Sequence, residues 1–180
     1  MLPDPLHPAV VHFPIVFAAI LPLVAIAALV LIRRGESVKR AWIPVLLLGV
    51  LLPGSAWAAV RTGETEEEVV EEVVADAPIH EHEEAAELFL PLSLGLLALV
   101  AAGLTGGRIG RAARGLAAVA SVAMLIAAYR VGHTGGQLVY EHGASAAYVT
   151  APSAGAAGEP IEHDDRRDLD RASEDREGNR

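Results

Sequence analysis

Four stretches of this 180-residue chain are apolar for about the thickness of a bilayer, and they constrain its fold more than any other feature. Roughly 20 consecutive apolar residues cross the ~30 Å hydrocarbon core as a helix. The runs fall at about 10–32, 41–60, 85–104 and 116–131. Lipid offers no partner to a backbone N–H or C=O, so a spanning segment is either a helix or part of a closed barrel. These segments lack the strict alternation of barrel strands. The expected fold is therefore all-α, a polytopic integral membrane four-helix bundle formed by residues 1–150. Composition agrees: 52% of residues are hydrophobic, mean hydropathy is +0.38, and only 4% are aromatic. Ala25, Ala28, Gly49, Gly95, Ala117 and Ala120 are small enough to let helices approach closely.

Charge sets the expected orientation. Arg33, Arg34, Lys39 and Arg40 follow the first span, and Arg108, Arg111 and Arg114 follow the third. Short basic loops stay in the cytoplasm. The expected location is the bacterial inner membrane, with both termini and the acidic loop between spans two and three on the periplasmic or exterior side. Residues Met1–His7 lack the basic start of a cleavable signal peptide.

Residues Glu64–Glu87 hold eleven carboxylates and no Lys or Arg. Thr65 and Glu68 match a capping box, and Val69-Val70 and Val73-Val74 recur every four residues. This pattern predicts a short amphipathic exterior helix over the mouth of the bundle. Asp76 and Pro78 read as a second helix start, leading into the third span. Residues 151–180 are Ala, Gly, Pro, Ser and charge, the composition of a disordered polar tail.

The chain has no cysteine, which excludes disulfides, iron–sulfur clusters, thiolate nucleophiles and covalent c-type haem. No basic stripe with interleaved aromatics points to nucleic acid. Neither a phosphate-binding Gly loop nor a Ser/His nucleophile signature is present, so the reading leans away from an enzyme. The spans carry no charge near the bilayer centre and show no inverted repeat, which argues against transport.

Histidine is the residue type that stands out. All seven, His7, His12, His80, His82, His133, His142 and His163, fall on the side away from the cytoplasm. Imidazole is the commonest biological metal ligand, so a one-sided set points to a site. His7 and His12 bracket the entry of the first helix; five residues turn through about 140°, so the two cannot point the same way. His12, the deeper, is the one expected to face the interior, while His7 reads as a solvated cap. His80-Glu81-His82-Glu83-Glu84 opens the third span with donors suited to a divalent metal. The last cluster runs from Arg130 to Gly143 and includes His133 and His142. Arg130 needs an anionic partner, either a carboxylate such as Glu64 or Glu68 or the propionate of a bound cofactor, or it snorkels to the interface.

His7-Pro8-Ala9-Val10-Val11-His12-Phe13-Pro14-Ile15, Thr62-Gly63 and Gly135-Gly136-Gln137-Leu138-Val139-Tyr140 resemble an uncharacterised bacterial membrane family, domain of unknown function 2231. The similarity covers about Leu6 to Gly143. It implies a four-helix integral membrane domain, sometimes found beside respiratory or c-type cytochrome components, and supplies no established activity.

Three functional readings compete. In the first, a b-type haem or redox metal is held at the outer mouth by His12 and His133, with Arg130 on a propionate and His82 and His142 as further candidates. It would exchange electrons with a periplasmic or membrane redox protein. In the second, His80, His82, Glu83, Glu84 and His133 bind a divalent metal. In the third there is no ligand, and the chain is a structural subunit docking through its acidic exterior. A homodimer is compatible with all three.

Overall fold

The computed structural model describes residues 5–150, with side-chain detail as far as Tyr148. The polar tail, and His163 with it, lies outside the described residues. Among the described residues six helices follow in order: α1 (His7–Val10), α2 (His12–Arg33), α3 (Val38–Glu71), α4 (Asp76–Ala102), α5 (Gly107–Tyr140) and α6 (Ala146–Thr150). Four helical units, α1 with α2 and then α3, α4 and α5, are long and apolar enough to cross a membrane. They form an up-and-down bundle in which α2 packs on α3 and α5, and α4 packs on the same two.

The turns at the basic end are made by local chemistry. Gly35 takes φ +99°, a conformation that costs glycine little, and the Glu36 N–H donates to the Leu31 carbonyl to close α2. Ser37 then caps α3 by accepting from the Arg40 N–H. Arg33, Arg34, Lys39, Arg40, Arg108 and Arg111 are exposed here, whereas Arg114 is buried and donates to the carbonyls of Gly103 and Thr105.

Small residues are prominent in the interior, and many large apolar side chains lie on the exterior. Ala18, Ala25, Ala28, Gly49, Ala56, Ala117 and Ala128 are buried, while Leu23 and Val119 are 67% and 71% exposed. In water that distribution would leave a large unpaired apolar surface. In lipid it is the stable one, because close backbone packing rather than apolar burial holds membrane helices together. Trp42 is the largest fully buried side chain, and its Nε1–H donates to the Val100 carbonyl at 2.9 Å.

One expected element is corrected. The acidic segment does not form a separate exterior helix, because α3 runs unbroken from Val38 to Glu71. Thr65 is no cap; its hydroxyl donates back to the Thr62 carbonyl one turn earlier. Between Val60 and Glu71 no residue stops the helix, and extending a helix costs less than nucleating one. At about 1.5 Å per residue α3 is about 50 Å long, so its acidic end projects beyond the apolar run. The second start is as expected, with α4 opening at Asp76.

Candidate functional site at the histidine-bearing end

Two histidines from different helices meet where α1, α3, α4 and α5 converge. The His7 and His82 ring centroids are 6.3 Å apart, with planes at 80°. His7 sits in α1 and points into the bundle because its backbone is held from outside. Glu66 Oε1 accepts from the backbone N–H groups of Leu6 and His7 at 2.7 and 2.8 Å. This carboxylate ties the first turn of α1 to α3 and complements the positive end of a helix.

The immediate surroundings of the two rings match. His7 Nδ1 lies 2.9 Å from the Ala59 carbonyl oxygen and 3.2 Å from Thr62 Oγ1. His82 Nδ1 lies 3.0 Å from Thr134 Oγ1, with the Val131 backbone as a second partner. Each threonine hydroxyl donates to carbonyls of its own helix, Thr62 to Ala58 and Ala59, Thr134 to Arg130 and Val131. Its oxygen is left to accept. A carbonyl can only accept, so the hydrogen-bond network assigns the ring proton to Nδ1 in both histidines. Nε2 then carries the lone pair. This is the arrangement in which a histidine binds a metal through one nitrogen while the other N–H is fixed by a second partner.

Glycine lets both rings lie against the helix they touch. A Cβ on Gly63 would stand 3.2 Å from His7 Cε1, and one on Gly135 would stand 3.0 Å from His82 Cε1. Either would press the ring out of place. Beside the rings lies a cavity of about 570 Å³, walled by apolar groups such as Val70, Ile79 and Leu138 and rimmed by Glu64, Glu66, Glu67 and Glu83. Its size is in the range of small-molecule and cofactor sites. Tyr148 of α6 also lines it, with its hydroxyl donating to Glu66 Oε2 at 2.8 Å. On the acidic projection of α3, beyond the apolar run, the Glu67 carboxyl is raised above its ordinary value by a hydrogen bond to Glu83 and by that group's charge.

The remaining sequence-predicted residues stand elsewhere. His12 is exposed, on the side of the α1–α2 junction opposite His7's, so the expected order of these two is reversed. His133 is exposed and stacks on Tyr129 at 5.8 Å. Neither lines the cavity, and Arg130 instead edges a separate one of about 380 Å³ beside Glu84 and Glu87. His142 is exposed. His80 points to solvent 3.7 Å from Glu83, while His82, two residues on, turns inward. The five-residue set His80, His82, Glu83, Glu84 and His133 is thus dispersed, and among the described residues no three His, Cys, Asp or Glu are gathered as metal ligands. His7, read as a cap, is the residue missed. Thr-Gly pairs occur at 62–63, 105–106 and 134–135, and nothing in the order of residues assigns one of them to His7.

Long lipid-facing helices with a polar, oriented pair at one end define a small four-span helical membrane protein. The model of the family described as "Predicted membrane protein (DUF2231)" matches residues 3–147, and the chain belongs to that family. Comparison with curated proteins and with solved structures returns no match.

Proposed function

We propose that this domain binds a b-type haem between His7 and His82 at the periplasmic or exterior face of the bacterial inner membrane and passes electrons to a redox partner there. The observation carrying this reading is the pair itself: two imidazoles from separate helices, 6.3 Å apart, each with Nδ1–H engaged and Nε2 free. A porphyrin supplies its own four equatorial nitrogens and asks the protein for two axial ligands. That fits a site in which two histidines from separate helices meet. Held by both imidazoles, such a group would supply one-electron redox chemistry, and His7 and His82 would be the residues that hold it.

The acidic rim favours a second reading. Glu64, Glu66, Glu67 and Glu83 disfavour two propionates and attract a cation, so a bare redox or divalent metal held by the same histidines is the alternative. One experiment separates them: visible spectra of the detergent-purified protein, oxidised and then dithionite-reduced, with elemental analysis of the same sample. A Soret band that sharpens on reduction, with near-stoichiometric iron, is the expected result. It should vanish in His7→Ala and His82→Ala and survive in His12→Ala and His133→Ala. A featureless spectrum after expression with ample haem sinks the haem reading, and stoichiometric metal in that sample would establish the second.

A further inference from the structure

The likeness of the two histidine settings extends to most buried positions along the helices, although Pro22 and Pro53 are buried where Leu97 and Leu125 are not. On α3 the buried positions include 41, 42, 45, 49, 52 and 56; on α5 they include 113, 114, 117, 121, 124 and 128, each 72 residues further on. On α2 positions 14, 18, 21 and 25 are buried; on α4 the matching positions are 89, 93, 96 and 100, each 75 further on. Heptad-like spacing alone would tolerate a slip by a whole heptad, so the burial pattern does not fix the register. The chemistry does. The 72-residue shift carries Thr62-Gly63 onto Thr134-Gly135, and the 75-residue shift carries His7 onto His82. The first shift also carries Arg61 lying over Trp57 onto His133 stacked on Tyr129, a basic group over an aromatic ring one turn back in both helices. The packing order fits: α2 touches α3 and α5, and α4 touches α5 and α3.

We infer that the chain is two copies of one helical hairpin, α1–α3 and α4–α5, related by a pseudo-twofold axis along the bundle. Each copy contributes one equivalent ligand-holding arm: His7 on Thr62-Gly63, and His82 on Thr134-Gly135. The ligand lies at the axis and takes one donor nitrogen from each arm. This selects a ligand class, a metal centre that takes two equivalent imidazole donors, and it makes Thr62 and Thr134 matched positioning residues. The two hairpins run in the same direction, so the repeat is parallel rather than inverted. The inference rests on the His7–His82 pair as the binding site and not on haem as its occupant.

The test uses the full-length protein in detergent, labelled with 15N-histidine and free of cofactor, together with Thr62→Val, Thr134→Val and the rescuing variants Thr62→Ser and Thr134→Ser. Two imidazoles of the wild type should show the Nδ1–H tautomer. Each valine variant should disturb one of them, a different one in each case, and each serine variant should restore it. In protein loaded with haem, or with the metal found by elemental analysis, both valine variants should weaken binding by about 10–100-fold, the usual effect of removing such a partner, and by a similar factor. With haem, both should also shift the midpoint potential in the same direction. If one threonine leaves its ring and the affinity untouched while the other does not, the equivalence is overturned even though a cofactor binds. If neither cofactor binds but the tautomers respond as stated, the matched arms stand and the haem or metal reading falls.

Discussion

Gly103 offers a quantitative test of the interior at the basic end. It closes α4 with φ −61°, which any residue adopts, so an alanine there meets no backbone obstacle. The obstacle is steric. The added Cβ would lie 2.6 Å from Trp42 Nε1, 2.9 Å from Cε2 and 3.0 Å from Arg114 Cγ. Trp42 is fully buried and held by its bond to the Val100 carbonyl, so the rigid indole cannot swing aside without losing that bond. Overpacking of this kind costs about 1–3 kcal/mol. Gly54 and Gly95, inside α3 and α4, have nothing within 4 Å of the equivalent position. There the same substitution should stabilise by up to about 1 kcal/mol through helix propensity. The two kinds of site therefore differ by about 1–4 kcal/mol, on the order of 2–16 °C in melting temperature for a chain of this size. Thermal unfolding in one detergent, followed by circular dichroism, reads the difference directly. If Gly103→Ala melts with Gly95→Ala, the Trp42–Gly103–Arg114 contact does not constrain the bundle and the reasoning fails.

Three further outcomes follow from the site and its supports. Glu66→Ala removes the acceptor for Leu6 N–H, His7 N–H and the Tyr148 hydroxyl; with bonds to a charged group worth about 1.5–3 kcal/mol, amide exchange at Leu6 and His7 should quicken by about 10–100-fold, and unchanged protection would refute the anchoring role. The Glu67 carboxyl is raised in the folded protein, so the Glu67–Glu83 contact stabilises below the ordinary carboxylate pKa and is lost as pH rises through the raised value. Melting temperatures from about pH 4 to pH 7 should show that decline in the wild type and a shallower one in Glu67→Gln; equal slopes would dismiss the pair. Trp42→Phe keeps most of the ring but leaves the Val100 carbonyl without its indole donor, and denaturant titration should show a loss of about 1 kcal/mol or more.

Much of the fold was legible in the order of residues because lipid imposes a rule local to the chain. A run of about 20 apolar residues must satisfy its own backbone, so span number, helical type and the basic character of both short loops follow without tertiary knowledge. The start of α4 at Asp76 was equally local. The acidic end of α3 was not, since a capping-box pattern cannot announce whether the helix before it has already stopped. Thr65 looks like a cap in the sequence and serves as an interior helical residue in the structure.

The site divides along the same line. Sequence alone determined that the histidines ahead of the polar tail gather at one end of a membrane bundle, because that is a matter of order and spacing. Only the tertiary structure decided which histidines meet. His12 lies deeper along the chain than His7, but Glu66, sixty residues away, grips the Leu6 N–H and turns α1 so that His7 faces inward and His12 outward. His82 and His133 were likewise sorted by a contact across 52 residues, the Thr134 hydroxyl taking His82 while His133 lies on Tyr129. A side chain's direction about a helix axis depends on what anchors the helix, and those anchors are distant in the chain and adjacent only once the bundle has closed.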